Sequence, residues 1–188
     1  MTYYERNLPH WHPPGASVFL TWRLYGSLPS PFSPLATELT DGKTFGQHFR
    51  KMDGVLDRAV SGPVWLKEMA VAECVTIMIE RGAGEPRHYR LHAFVVMANH
   101  VHLLITPLCP VGRLTNSLKG TSARECNRLL RRTGSHFWQD ESFDHWVRTT
   151  NEFRRIQAYI EQNPVAAGLV KVQKDWPWSS AFRTEALR

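Results

Sequence analysis

Three cysteines in 188 residues, Cys74, Cys109 and Cys126, are odd in number, scattered and without a CxxC spacing. That argues against a disulfide framework and against a thiolate zinc site, and it suits a reducing compartment. No stretch approaches the ~20 consecutive apolar residues of a membrane span. The opening MTYYERNLPHWHPPG lacks the apolar centre of a signal peptide. Internal repeats and low-complexity tracts are also missing. A soluble cytoplasmic protein is the expectation.

What is present suits a folded core: 43% hydrophobic and 11% aromatic residues. The length suits one domain over 1–188, with an N-terminal arm (1–15) and a C-terminal tail (171–188). The net charge is +6 and the pI about 9.5. An anionic partner fits that balance, nucleic acid first. Mild basicity is also common without such a partner, so charge alone decides nothing.

Ser17–Leu24 (SVFLTWRL) is β-rich and reads as a strand. Tyr25–Gly62 is loop-like, with three prolines in SLPSPFSP and with Gly42, Gly46 and Gly54, and with a short helix near Gln47–Ala59. Gly62-Pro63 opens a helix over Val64–Arg81. Two strands follow, Tyr89–Met97 and His100–Thr106, separated only by Ala98-Asn99 as in a tight hairpin. Val111–Arg132 is a basic helix. A mixed segment with a possible strand leads to a last helix, Glu152–Asn163, ended by Pro164. The order predicts an α+β fold, a ferredoxin-like antiparallel sheet with helices packed on it.

Inside the second strand of the hairpin stand His100 and His102. Residues two apart share a face of a strand, about 7 Å from each other. Val101, Leu103 and Ile105 take the other face, toward helices. Two neighbouring imidazoles can ligate one divalent cation and leave positions for a third ligand or a substrate oxygen. Equally, they can be partly exposed residues on a solvated face. His10-Trp11-His12 has the same spacing but precedes Pro13-Pro14, which argues against a regular strand there and against metal binding.

In the last helix, Phe153, Ile156 and Ile160 form an apolar stripe. Beside it runs a polar stripe at i, i+4 spacing: Arg155, Tyr159 and Asn163. An asparagine oxygen can complete a two-histidine metal site. A tyrosine one turn away can act as a nucleophile if a metal polarises the phosphoryl group it attacks. Alternatively, Tyr159 is an edge-of-core residue and Asn163 caps the helix.

NHVHLL (Asn99–Leu104) followed by YIEQNPVAAGLV (Tyr159–Val170) resembles the REP-associated tyrosine transposases, within the single-tyrosine transposases that carry a His–hydrophobic–His motif. HPPGASVFLTWRL (His12–Leu24), LKGTSARECNRLL (Leu118–Leu130), FWQDESFDHWVR (Phe137–Arg148) and DWPWSSA (Asp175–Ala181) resemble further blocks of that family, in order. Ala98 departs from it, standing where a proline is expected. The resemblance implies a ferredoxin-like fold with the histidines on a central strand. It implies His100 and His102 as metal ligands, Asn163 as the third ligand and Tyr159 as the catalytic residue. It also implies magnesium or manganese as cofactor, a monomer, and cleavage of single-stranded DNA beside hairpins through a 5′-phosphotyrosine link.

The basic helix carries Arg113, Lys119, Arg124, Arg128, Arg131 and Arg132 against Glu125. Such a face can neutralise phosphates, or simply be solvated. Lys119, Arg124, Arg148 and Arg155 are the candidate DNA contacts. Trp138 and Trp146 can stack on bases or fill the core. Asp144-His145 can orient a site group or pair locally. Two other readings compete. One is a non-catalytic hairpin-binding protein. The other is a metal-dependent hydrolase using water, weakened because no further acidic or histidine ligand lies near the two histidines in sequence.

Overall fold

Alternation along Val18–Arg23 sends successive side chains to two different apolar layers, and the neighbouring strands repeat the pattern. The computed structural model describes residues 2–5, 9–13, 15–28, 53–58, 62–84, 87–140 and 142–186. In chain order its elements are β1 (Thr2–Glu5), β2 (Pro9–His12), β3 (Val18–Arg23), α1 (53–58), α2 (Met69–Ala83), β4 (Tyr89–Val96), β5 (His100–Pro107), α3 (Val111–Leu129), β6 (Phe143–Trp146), α4 (Thr150–Ala166) and α5 (Ser180–Ala186). Much of the expected Tyr25–Gly62 loop, and the ends of the helix expected at Gln47–Ala59, lie outside the described residues. Among the described residues no helix is long and apolar enough to cross a membrane.

The main sheet has the order β4-β5-β3-β6. Its neighbours are all antiparallel. The units β3-α2-β4 and β5-α3-β6 each cross over, which is the split βαβ arrangement of a ferredoxin-like fold. The expected α+β class is therefore the observed one. Ala98-Asn99 closes the β4–β5 hairpin, with Met97 N–H donating to the His100 carbonyl at 2.9 Å.

On one face, Val18, Leu20 and Trp22 of β3 join Phe94 and Val96 of β4 and Val101, Leu103 and Ile105 of β5. They pack on Val71, Ala72, Val75 and Ile79 of α2 and on Val111, Leu114 and Cys126 of α3. On the other face, Phe19, Ala93, Val95 and Leu104 pack on Ile160 of α4, with Phe153 and Ile156 at the margin. The histidines point to this second face. Both are fully buried, so the solvated-face reading does not hold.

Three local expectations need correction. Pro9–His12 is a strand after all, paired antiparallel with β1 from Thr2↔His12 to Glu5↔Pro9. Proline is tolerated there because Pro9 opens the strand and Pro13 follows it, so no interior ladder bond is lost. The helix expected from Val64 starts at Met69: Trp65–Lys67 is a 3-10 turn and Glu68 is extended. Pro164 does not end the last helix, which runs to Ala166. Proline removes one helical hydrogen bond close to the end. Burial of Ile160, Asn163 and Pro164 together outweighs that loss. At its start, Thr149 caps α4 by accepting from Glu152 N–H at 3.1 Å, while the Glu152 carboxylate accepts from Arg148 N–H at 2.7 Å.

Gly82 of α2 shows how tightly the helices seat. A Cβ there would lie 2.6 Å from the ring of buried Tyr89, whose hydroxyl donates to the Ile79 carbonyl. Alanine normally favours a helix interior over glycine by about 1 kcal/mol. Here the overlap reverses the sign: Gly82→Ala is expected to destabilise by roughly 1–3 kcal/mol. A thermal melt followed by circular dichroism tests this, and an unchanged or raised midpoint would mean the Tyr89 ring yields at no cost.

Candidate metal centre and active site

β5 sets the two imidazoles on one side of a central strand, and their neighbours fix how they turn. Asn99 offers its amide oxygen to His100 Nδ1 at 2.8 Å. That oxygen only accepts, so His100 carries its proton on Nδ1 and turns a bare Nε2 lone pair inward. The Asn99 amide nitrogen donates to the Leu56 carbonyl at 3.0 Å, tying the hairpin turn to α1. His102 Nδ1 bonds Thr21 Oγ1 of β3 at 2.7 Å. The two Nε2 atoms then lie 3.1 Å apart.

The third donor comes from α1, anchored by Leu56, which is wholly buried. Asp53 Oδ1 lies 3.1 Å from His102 Nε2 and 3.6 Å from His100 Nε2. Asp57, one turn on, puts Oδ1 3.6 Å from His100 Nε2. Burial pushes the Asp53 carboxyl up. The charge and hydrogen bonding of His102, the charge of His100 and the Asn163 amide outweigh burial and hold it below the usual carboxylate range. Asp57 is pushed up to about 7, by burial first and then by the charge of Asp53. His100 is pushed down to about 3, by burial first and then by the charge of His102. His100 is therefore neutral at physiological pH, as a metal ligand must be.

Asp53, His100 and His102 form a group able to hold a metal ion, buried throughout. Around a six-coordinate ion with bonds of ~2.1 Å, adjacent donors sit about 3.0 Å apart. The separations of 3.1, 3.1 and 3.6 Å suit that spacing. Among the described residues the Asp53 carboxylate and the Asn163 amide are buried without a well-formed hydrogen bond, although His102 Nε2 lies 3.1 Å from Asp53 Oδ1. A proton on His102 Nε2 would serve one of the facing atoms, whereas a cation would serve all of them. The residues present thus fit a divalent ion.

α4 brings the remaining expected residues. Asn163 is buried, and its amide is close enough to Asp53 to favour the charged carboxylate. Tyr159, one turn earlier and half-buried, sets its ring 5.6 Å from that of His102, tilted by 59°. Phe19 closes the other side, stacked on His102 at 5.6 Å and edge-on to Tyr159 at 6.3 Å. His100, His102, Asn163 and Tyr159 are therefore brought together from two distant segments.

The basic candidates separate. Arg155 is exposed on α4, and Arg148 is exposed just before it, its guanidinium 5.4 Å from the Trp146 ring centroid. Arg124 is exposed on α3, in the helical layer across the sheet from Tyr159. Lys119 donates to the carbonyls of Gln139 and Asp140, both at 2.7 Å, and to Ser142 Oγ at 3.2 Å. Its ammonium thus anchors the segment leading into β6. Trp138 is core, edge-on to Trp22, with its N–H on Ser122. His145 pairs locally with Glu152 at 2.8 Å.

Asp53 and Asp57 are the site residues that sequence reasoning missed. Their i, i+4 spacing within the expected short helix is a signal, but nothing in the sequence ties that helix to a strand more than forty residues later.

Comparison with known proteins bears on the family and the fold. The family model "Transposase IS200 like" matches residues 67–163. A REP-associated tyrosine transposase of Escherichia coli is 31% identical over 101 residues, covering 53% of this chain and 59% of that protein. A Haemophilus influenzae protein provisionally given the same name is 26% identical over 102 residues, covering 48% of this chain and 58% of that protein. The chain thus spans less than two thirds of the length of these relatives. Among solved structures, a REP-associated tyrosine transposase bound to a REP hairpin shares the fold, with a TM-score of 0.55 and 20% identity over 99% of this chain and 86% of that one. With the family pattern spread across the hairpin histidines and the tyrosine helix, the chain belongs to the IS200-like transposase family.

Proposed function

We propose that the protein is a metal-dependent single-stranded DNA endonuclease and strand transferase, acting beside DNA hairpins through a covalent 5′-phosphotyrosine. The observation that carries this reading is the Tyr159 ring against His102, beside a buried cluster built to hold a cation. His100, His102 and Asn163 would hold magnesium or manganese, with Asp53 beside them. Such an ion supplies charge that polarises the scissile phosphate.

The chain's own residues do the rest. Asn99 and Thr21 fix the ring orientations of His100 and His102. Phe19 and Ile160 keep the sheet side of the tyrosine dry. The Tyr159 oxygen attacks phosphorus as its proton departs to solvent or a nearby base. A Tyr159–phosphorus bond forms, and the bond from phosphorus to the 3′-oxygen breaks. That oxygen takes up a proton, leaving a free 3′-hydroxyl. A 3′-hydroxyl from another strand reverses the step, so the phosphodiester energy is kept in the tyrosine link and no nucleotide cofactor is consumed. Exposed Arg155, one turn before the tyrosine, and exposed Arg148, just before α4, meet backbone phosphates. Arg124 reaches DNA only if the hairpin wraps around the sheet's edge. Lys119 acts by holding the 139–142 segment. The protein works as a cytoplasmic monomer on hairpin-bearing single strands.

The test is incubation with labelled single-stranded hairpin DNA from the flanking genomic sequence, with magnesium, manganese or chelator. A covalent protein–DNA band is expected with either metal and not with chelator, and peptide mass spectrometry should place the nucleotide on Tyr159. Binding without a covalent band, on every hairpin tried, would mean a non-catalytic binding protein. One observation favours a second reading, hydrolysis by water: Asp53 supplies the acidic residue that the sequence near His100 lacks. That reading requires cleavage with no covalent band.

A further inference from the structure

The structure assigns Asp53 as a direct protein ligand of the divalent ion, delivered by α1, a segment outside the part of the chain that matches the family model. The inference rests on the metal-dependent reading above and adds to it a ligand that the histidine pair and Asn163 do not supply. Its basis is geometric. Asp53 is 1% exposed, and its Oδ1 completes a triangle of donors with the two Nε2 atoms. A buried carboxylate that faces imidazoles and an amide rather than a fixed cation is costly. A divalent ion bound to it removes that cost. With these two nitrogens and one carboxylate oxygen, Asn163, water and a phosphate oxygen would complete the set around such an ion.

The ligand also makes α1 part of the active site. Besides Asp53, this helix is tied to the sheet by the Asn99–Leu56 hydrogen bond, the buried Leu56 side chain and Asp57 Oδ1, 3.6 Å from His100 Nε2. A bound ion would add a further tie, between Asp53 and β5. Metal binding should therefore slow the opening of α1, and α1 should determine metal affinity although it lies far upstream of the histidines. The mixed nitrogen and oxygen set also suits manganese better than magnesium, which prefers oxygen ligands.

The test measures manganese binding directly, by isothermal titration and by electron spin resonance, in the wild type, Asp53→Asn and Arg58→Gln. Asparagine preserves the shape of Asp53 and removes its charge. Arg58 is exposed on the same helix and serves as a control for general disturbance of α1. Asp53→Asn is expected to weaken manganese binding by about 100-fold, since even residues that only orient a ligand cost 10–100-fold. Nitrogen couplings from the two imidazoles should persist at saturating metal. Arg58→Gln should bind within about threefold of wild type. Hydrogen exchange of the wild type alone should show residues 53–58 protected by manganese, which does not depend on any variant folding. Wild-type affinity retained in Asp53→Asn, an equal loss in Arg58→Gln, or no added protection of 53–58 would each overturn the assignment. Retained affinity together with a metal-dependent Tyr159 adduct would leave the proposed function standing. A wild type that binds no manganese or magnesium would remove both.

Discussion

Tyr159→Phe is expected to abolish covalent capture of hairpin DNA and to lower strand cleavage by at least ~10⁴-fold, the scale seen when a nucleophile is removed from an enzyme whose other groups remain. The ring stays in place, so its contacts with His102 and Phe19 persist and stability should change by less than about 1 kcal/mol. Metal affinity and hairpin binding should also be near wild type, because the hydroxyl is assigned to attack rather than to holding the ion or the DNA. The measurement is single-turnover cleavage of a labelled hairpin at saturating manganese, with denaturing gels to separate the adduct. Cleavage at wild-type rate would mean that water is the nucleophile and that the tyrosine only lines the site. Loss of hairpin binding along with cleavage would mean that the tyrosine holds DNA.

His102→Ala is the second large effect, and it strikes a different part of the site. Nε2 of His102 is within 3.1 Å of both His100 Nε2 and Asp53 Oδ1, so its removal opens the donor triangle at its centre. Manganese binding should fall by ~100-fold or more, and cleavage by at least ~10³-fold at any attainable metal concentration. The loss also reaches the fold, since Thr21 Oγ1 loses its bond and Phe19 its stacked partner. A destabilisation of about 1–3 kcal/mol is expected from the unpaired hydroxyl and the cavity. Thermal melts with and without manganese separate the two effects. The wild type should gain stability from the ion, and His102→Ala should gain little. Full metal stabilisation in the variant would mean that the ion sits elsewhere. The contrast with Tyr159→Phe is the useful result, because one variant should lose the chemistry and keep the metal while the other loses both.

How far the site can be read without coordinates differs from residue to residue. His100 and His102 were visible because strand periodicity is local: two residues apart means one face, whatever surrounds it. Tyr159 and Asn163 were visible for the same reason on a helix, at one turn's spacing. Pro164 misled as a helix stop, because a breaker's cost is local whereas the burial of Ile160, Asn163 and Pro164 that outweighs it is not. Lys119 read as one more cation on a basic helix, yet three oxygens from the segment before β6 hold its ammonium. Charge patterns register sign along the chain and not which oxygens fold back upon it.

Asp53 marks the limit most clearly. Its carboxylate meets the imidazoles only because α1 is carried across the face of β5 and pinned by Leu56 and Asn99. By itself the sequence determined the periodic elements, the α+β class, the histidine pair, the tyrosine helix and the basic balance, all of which follow from side chains a few residues apart. The tertiary structure decided that the histidines are buried, that an aspartate joins them, and that Trp138 belongs to the core. The physical reason is that a metal site is a convergence of donors within a few ångströms. Donors far apart in the chain converge only through the packing of whole elements, and no spacing along the sequence records that.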